Sequence, residues 1–281
     1  MSTSSLVSAR KAAEACELCA GREWRPLLEK AGYRYERCAG CSLVRAALDA
    51  FDPAALYDGL FESAWLEREI ARTLEPRKQA HYRAQIRREI RRVARPRGAA
   101  IEVLDVGCGV GGFLVAARAL GHRALGVEVS QVAARHAREA LGLDVRTGSL
   151  ELCASLGERF ALVRANALLE HLPRPLEALH ALRQAVAPGG VLFGLTLNLD
   201  SWTFERARER WRYLGMGGHV SFFDPRNLRA LLERAGFREV AVRTQGYRDE
   251  SRRMGRFREA FEGWRAGRIG KGHRLYFEAR G

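Results

Sequence analysis

Four cysteines near the start of the 281-residue chain stand as two pairs, Cys16-x2-Cys19 and Cys38-x2-Cys41, eighteen residues apart. This is the spacing of a tetrahedral zinc site. Four thiolates close the coordination sphere, so an ion held there supports structure and does no chemistry. A second constellation lies further on, in LeuAspValGlyCysGlyValGlyGlyPhe at 104–113. Gly107, Gly109 and Gly112 satisfy G-x-G-x-x-G, and Glu128 follows 21 residues after the first glycine. Glycines let the backbone turn tightly and let a ligand approach closely, and a carboxylate at that remove accepts ribose hydroxyls. Taken alone, the pattern fits NAD as well as other nucleoside cofactors. Asp105 shifts the balance, because a pyrophosphate would bring like charge towards it, whereas an ammonium and a sulfonium would not.

These residues need elements to hold them. Residues 1–50 read as the cysteine module and residues 51–98 as a helical, basic linker that ends in ArgProArgGly at 95–98. From residue 99 to 281, short apolar runs alternate with amphipathic stretches. Strands are expected at 101–106, 124–129, 143–146, 160–165, 191–197, 237–244 and 273–279, and helices at 113–120, 130–141, 173–187 and 224–235. Asp224, Pro225 and Gly236 are start and stop signals for the last helix. The alternation predicts an α/β fold with a doubly wound, mostly parallel sheet. Between the last two strands no helix-length stretch of clear character is visible.

Residues 101–281 resemble the class I S-adenosylmethionine-dependent methyltransferases. LeuAspValGlyCysGly (104–109) is similar to that family's first motif and GlyValGluValSer (126–130) to its ribose-binding strand end. AsnAlaLeuLeuGluHisLeuProArgPro (166–175) resembles its fourth-strand motif, and AlaProGlyGlyValLeu (187–192) the turn before its fifth strand. The stretches 218–237 and 270–280 resemble its late helix and closing strand. The resemblance implies a Rossmann-like, seven-stranded sheet with the last strand antiparallel. It also implies S-adenosylmethionine as cofactor, with Asp105, Gly107 and Gly109 beside its methionine part and Glu128 on its ribose. Ser149 falls where the family often has an acid near the adenine, and Asn166 falls under the sulfonium end. The cysteine module resembles the zinc ribbons that precede a subset of small-molecule methyltransferases, and also some RNA methyltransferases.

Methyl transfer is an in-line displacement at carbon. Alignment alone supplies up to about 7–11 kcal/mol, and a general base adds about 10²–10⁴-fold. His171 and His219 are the candidate bases, each with a structural role as its alternative. Some relatives hold a divalent metal with Glu-x-x-Glu-His; here Ala167 stands at the first acid, and no catalytic metal is expected. The segment 200–218 holds Trp202, Phe204, Trp211 and Tyr213 before GlyMetGlyGly, and reads as a lid over the acceptor or else as core filling. Cys108 and Cys153 read as core residues.

The formal net charge is +14. Residues 66–97 carry eleven Lys/Arg against four Asp/Glu, and residues 243–274 carry ten against four. Within the first segment Tyr82, Ile86, Ile90 and Val93 fall at helical spacing, so one face packs and the arginines take the other. A basic surface suits a solvated face or an anionic partner. No secretory or membrane-spanning run is visible, which suggests the cytoplasm. The acceptor expected is a small molecule, such as a sugar, a nucleotide-sugar or a secondary metabolite, methylated first of all on oxygen. RNA is the alternative acceptor, and a non-catalytic cofactor-binding scaffold is the third reading.

Overall fold

The computed structural model describes residues 14–48, 53–61, 64–93, 98–216, 218–248 and 255–281. Arg95–Arg97 of the breaker, Gly217 and the middle of the second basic segment lie outside them. In chain order the elements begin with β1 (Trp24–Lys30), β2 (Tyr33–Cys38), β3 (Val44–Ala47), α1 (Pro53–Phe61), α2 (Ala64–Leu74) and α3 (Pro76–Glu89). Then follow β4 (Glu102–Val106), α4 (Gly112–Ala119), β5 (Arg123–Glu128), α5 (Gln131–Glu139), β6 (Asp144–Thr147), α6 (Glu151–Ser155) and β7 (Phe160–Asn166). The chain continues with α7 (Pro175–Ala185), β8 (Val186–Leu197), α8 (Trp202–Ala207), β9 (Ser221–Phe222), α9 (Pro225–Arg234), β10 (Arg238–Gln245), α10 (Arg256–Arg268) and β11 (Arg274–Arg280).

The expected α/β architecture is present. Seven strands form one sheet in the order β10-β11-β8-β7-β4-β5-β6. β4 pairs in parallel with β5 and β7, and β5 with β6. α7 stops at Ala185, two residues earlier than the sequence suggests. Pro188 disfavours helical backbone just before it, and the chain is already extended from Val186. Among the described residues no helix is long and apolar enough to cross a membrane.

The residues fall into two compact units. One comprises the described residues of Asp52–Asn166, with His180–Phe193 and Ala279–Gly281. Its core gathers Ile86, Ile90 and Val93 from the α3 region with Val103, Phe113, Leu162 and Val191, and Tyr82 packs against them. The basic helix therefore buries the face its periodicity predicts. α5 starts at Ser130, whose hydroxyl accepts from the Ala133 amide at 3.2 Å.

The other unit comprises the described residues of Met1–Phe51 with Ala167–Leu179 and Gly194–Glu278. The cysteine module is not a closed sheet of its own. Its strands continue into a four-stranded sheet, β1-β2-β3-β9, in which Val44 lies opposite Phe222 and Arg45 opposite Ser221. The core behind it joins Tyr35 and Val44 to Phe204, Trp211 and Phe222. α9 begins with a full capping box, Asp224 and Asn227 bonding each other's backbone amides.

Candidate functional site

The glycine loop turns out of β4 on three left-handed residues, Gly107, Gly109 and Gly111, with φ of 71°, 54° and 83°. The amides of Gly107 and Cys108 donate to the Val127 carbonyl at 2.8 and 3.3 Å, which folds the loop over the end of β5. Glu128, the last residue of β5, is held at both carboxylate oxygens. The Gly109 amide donates to one at 2.7 Å and the Ser130 amide to the other at 2.9 Å. Burial pushes this carboxyl above its ordinary range, and those two amides oppose the rise. A carboxylate offers roughly four lone-pair positions, so two remain for hydroxyl donors. A side-chain carbon built on Gly109 would meet nothing within 4 Å. The loop thus combines an open approach to backbone with an oriented acceptor pair, which fits a ribose-bearing cofactor.

Two helices brace this loop. A β-carbon at Gly112 would lie 2.1 Å from the Thr73 methyl of α2. Gln79 of α3 donates from one amide nitrogen to the carbonyls of Thr73 and Gly112, at 3.0 and 2.8 Å. At the start of α5, the Ser130 hydroxyl donates to Asp58 of α1 at 2.6 Å.

Asp105 is engaged from behind. Arg164, on β7, donates to its carboxylate at 3.1 Å, and both side chains are almost fully buried. Burial pushes the Asp105 carboxyl up and the Arg164 charge pulls it back. The guanidinium also lies 3.9 Å from the centre of the Phe113 ring, in the first turn of α4. Buried Glu89, bonded to Gln85 at 2.8 Å, faces the same cation. The charge of Asp105 is therefore shared with Arg164, a residue that sequence reading did not single out. Of the remaining expected residues, Asn166 closes β7, half-buried. The Ser149 hydroxyl donates to Glu151, which brings an acid to the position where the serine departs from the family pattern.

In the other unit, His171 and His219 come together with Glu170, and their ligand-type atoms lie within 4.8 Å of one another. The two imidazoles meet edge to face with ring centres 4.6 Å apart, and Tyr213 stacks on His219. His171 Nδ1 lies 3.0 Å from the Gly218 carbonyl, and His219 Nδ1 lies 3.0 Å from the Tyr213 carbonyl. A carbonyl only accepts, so each ring carries its proton on Nδ1 and its lone pair on Nε2. Burial lowers His171 to about 3, helped by His219, and burial lowers His219 as well. Glu170, pushed up to about 7 by burial, accepts from the Thr196 hydroxyl at 2.7 Å. The Val220 amide donates to the Glu170 carbonyl at 2.8 Å, and the Ser221 hydroxyl donates to the Leu172 carbonyl at 2.7 Å. Val220, just before β9, and Ser221, its first residue, therefore pin the histidine turn, while β9 also pairs with the cysteine module.

Phe204 and Trp211 of the segment 200–218 are interior, which leaves Trp202 and Tyr213 for any acceptor-facing role. Lys30 donates to the Trp211 carbonyl and the Gly215 amide donates to the Tyr35 hydroxyl, both at 2.8 Å. Gly215 itself is fitted against Lys30 and Ala31.

The four cysteines converge, with all sulfurs within 4.8 Å. The two CxxC turns are built alike. Cys16 and Cys38 donate from their amides to the carbonyls of Gly21 and Leu43, both at 2.8 Å. Ala20 and Ser42, the residues after each second cysteine, are left-handed, with φ of 58° and 63°. A hydrogen bond from Cys41 pulls the Cys16 thiol down to about 5 and pushes Cys41 the other way. Such a cluster can ionise fully only around a cation. Zn–S bonds of about 2.3 Å imply sulfur–sulfur edges of about 3.8 Å, which the cluster accommodates. Cys153 is buried, and Cys108 lies beneath the loop, its thiol pushed up by burial.

Comparison with known proteins agrees with this geometry. A family described as "Methyltransferase domain" matches residues 78–242. The ubiquinone biosynthesis O-methyltransferase of Cereibacter sphaeroides (strain KD131 / KCTC 12085) is 35% identical over 152 residues, covering 50% of this chain and 61% of that protein. The enzyme of the same name from Dinoroseobacter shibae is 32% identical over the same shares. The chain thus spans about three fifths of the length of these relatives. Among solved structures, a SAM-dependent methyltransferase from Thermotoga maritima superposes with a TM-score of 0.54 at 18% identity, over 80% of this chain and 98% of that one. One from Archaeoglobus fulgidus gives 0.54 at 16%, over 82% and 100%. The strand order, the glycine loop and the extent of the family match converge on one conclusion: the chain belongs to the methyltransferase-domain family.

Proposed function

We propose that this protein methylates an oxygen of a small-molecule acceptor, with S-adenosylmethionine as donor and a structural zinc ion on Cys16, Cys19, Cys38 and Cys41. The observation that carries the reading is Glu128, aimed by two backbone amides beside the open face of Gly109. Glu128 would bind the ribose hydroxyls, Gly107 and Gly109 would border the methionine part, and Ser149 with Glu151 would serve the adenine. Asp105, its charge balanced by Arg164, would border the methionine part with Gly107 and Gly109, and Asn166 would lie under the sulfonium end. S-adenosylmethionine, when bound, supplies a methyl group already made electrophilic by the sulfonium. The protein's task is then to orient an acceptor hydroxyl and remove its proton. His219, neutral and with its lone pair on Nε2, is the base proposed, and His171 supports it edge-on. Oxygen as the acceptor atom is supported by the O-methyltransferases among the relatives, whose names tie them to ubiquinone biosynthesis.

Calorimetric titration of zinc-replete protein with S-adenosylhomocysteine tests the cofactor. Transfer of labelled methyl to a panel of phenols, catechols and sugars tests the acceptor. Binding together with methylation of one of these classes is the expected result. Absence of binding would overturn the cofactor assignment. Binding with methyl transfer only to RNA would overturn the acceptor.

A further inference from the structure

α10 is built inside out. The residues it turns towards the sheet are small: Gly263, Ala266 and Gly267. A β-carbon at Gly263 would lie 3.2 Å from the Tyr247 amide, and one at Gly267 would lie 3.0 Å from the Thr244 carbonyl. The helix therefore rests on β10 almost backbone to backbone. Its large residues point the other way. Phe257 is 95% exposed, Phe261 56% and Trp264 59%, and Ile269 just past the helix end is 61% exposed. At about 3.6 residues per turn, Phe257, Phe261, Trp264 and Arg268 share one narrow stripe. A soluble helix ordinarily buries such a stripe. Few of the other large apolar residues described are so open, which makes this the main exposed apolar patch of its unit.

Among the described residues of the helix, the exposed charge around the stripe is of one sign. Arg268 lies over the Trp264 ring at 5.3 Å and Arg265 lies 5.9 Å from the Phe261 ring, while Arg258 is exposed beside them. The helix's two acids lie towards its packed side, half-buried, and Glu262 faces Arg265 at 3.5 Å. A second copy docking stripe to stripe would set arginine against arginine. Stacking of successive bases would need a run of open ring faces, yet two of the three rings, Phe261 and Trp264, already stack on each other at 6.1 Å and 25°, with arginines over them. What remains available is aromatic bulk on a convex helix, rimmed by cations. That combination matches the boundary of an anionic bilayer, where aromatic side chains enter the headgroup level and arginines meet lipid phosphates.

We infer that the outer face of α10 is a peripheral membrane-docking surface that seats Phe257, Phe261 and Trp264 in the interface of an anionic lipid leaflet. Attachment of this kind needs no spanning helix. The inference does not rest on the identity of the acceptor. The test is co-sedimentation of the full chain with phosphatidylcholine vesicles, with and without a third of phosphatidylglycerol, followed also by tryptophan emission. Binding to the anionic vesicles only, with a blue shift and a loss on added salt, is expected. The variants F257S/F261S/W264S and R265E/R268E should each weaken binding at least tenfold while their S-adenosylhomocysteine affinity stays at the wild-type value. Failure of the wild type to bind at low salt, or undiminished binding by both variants, would overturn the proposal. So would a wild-type dimer, or an RNA complex, that the triple variant loses while vesicles are ignored.

Discussion

Arg164 shows how a single residue can hold a loop that it is not part of. Its charge lies under Asp105 and its plane lies against Phe113, so it fixes both the strand before the glycine loop and the helix after it. Removing one member of a buried pair strands the other, at about 3–5 kcal/mol. Arg164→Leu is therefore expected to lower the urea midpoint sharply, and Arg164→Leu with Asp105→Asn to recover a large part of the loss. Asp105→Ala alone reports on both folding and cofactor binding, so only its comparison with the double variant isolates the ligand term. The histidine cluster carries a pH signature. His171 lies well below its ordinary 6.5, so its contribution to stability is present above pH 6.5 and lost as pH falls towards about 3. Glu170 lies above its ordinary 4.5, so its contribution is present below pH 4.5 and lost as pH rises through about 7. The two slopes oppose each other between 4.5 and 6.5. In Glu170→Gln the opposition goes, and unfolding midpoints should then climb more steeply across that interval than in the wild type. His219→Gln should lower kcat by about 10²–10⁴-fold with KM nearly unchanged. The wild-type acid limb should lie below pH 6.5, because burial lowers His219. The glycines and Glu128 were legible in the sequence because their spacing carries information, and His171 and His219 were picked out by where they fall in stretches that resemble the family's motifs. Arg164 was not: its partner stands 59 residues away, and an arginine within PheAlaLeuValArgAla reads as an interruption of an apolar strand.

At the level of elements, legibility follows the direction in which side chains point. The parallel strands were visible as short apolar runs, and α9 was visible through its cap. α10 escaped because small residues face its sheet and aromatics face outward, so its pattern resembles no buried face. The four-stranded sheet escaped for another reason: β9 is two residues long and meets β3 only through tertiary pairing. Gly112 tests how tightly α2 brackets the loop. Gly112→Ala sets a methyl against that of Thr73, and overpacking costs about 1–3 kcal/mol. Its S-adenosylhomocysteine affinity should fall with its stability, and adding Thr73→Ala should restore both in calorimetry and in urea unfolding. A double variant no better than Gly112→Ala would mean that the close approach to Thr73 is not what fixes the glycine.

For the unit that holds the cysteines, the consequence of the shared sheet is reach. Cys38→Ser, or a chelator that strips the proposed zinc, should loosen more than the cysteine turns. β2 ends at Cys38, β3 borders it, and β9 with its flanking residues holds the histidine turn. Hydrogen exchange at the Val220 amide, bonded to the Glu170 carbonyl, is the local probe. It should accelerate on metal loss, whereas the amide of Gly109 should keep its protection. Equal acceleration at both would show global unfolding instead.

The same strand pairing sets a timetable for synthesis. Val44 and Phe222 lie about 180 residues apart in the chain. At about 5–20 residues per second, the ribosome needs roughly 10–35 s to supply the second after the first. The cysteine turns can close around the proposed zinc within moments of emerging, since all four cysteines come from one short stretch. Their sheet cannot close until β9 arrives. Through that interval Tyr35 and Val44 wait with an uncovered face and β3 with an open edge, so the cysteine module is begun early and finished late.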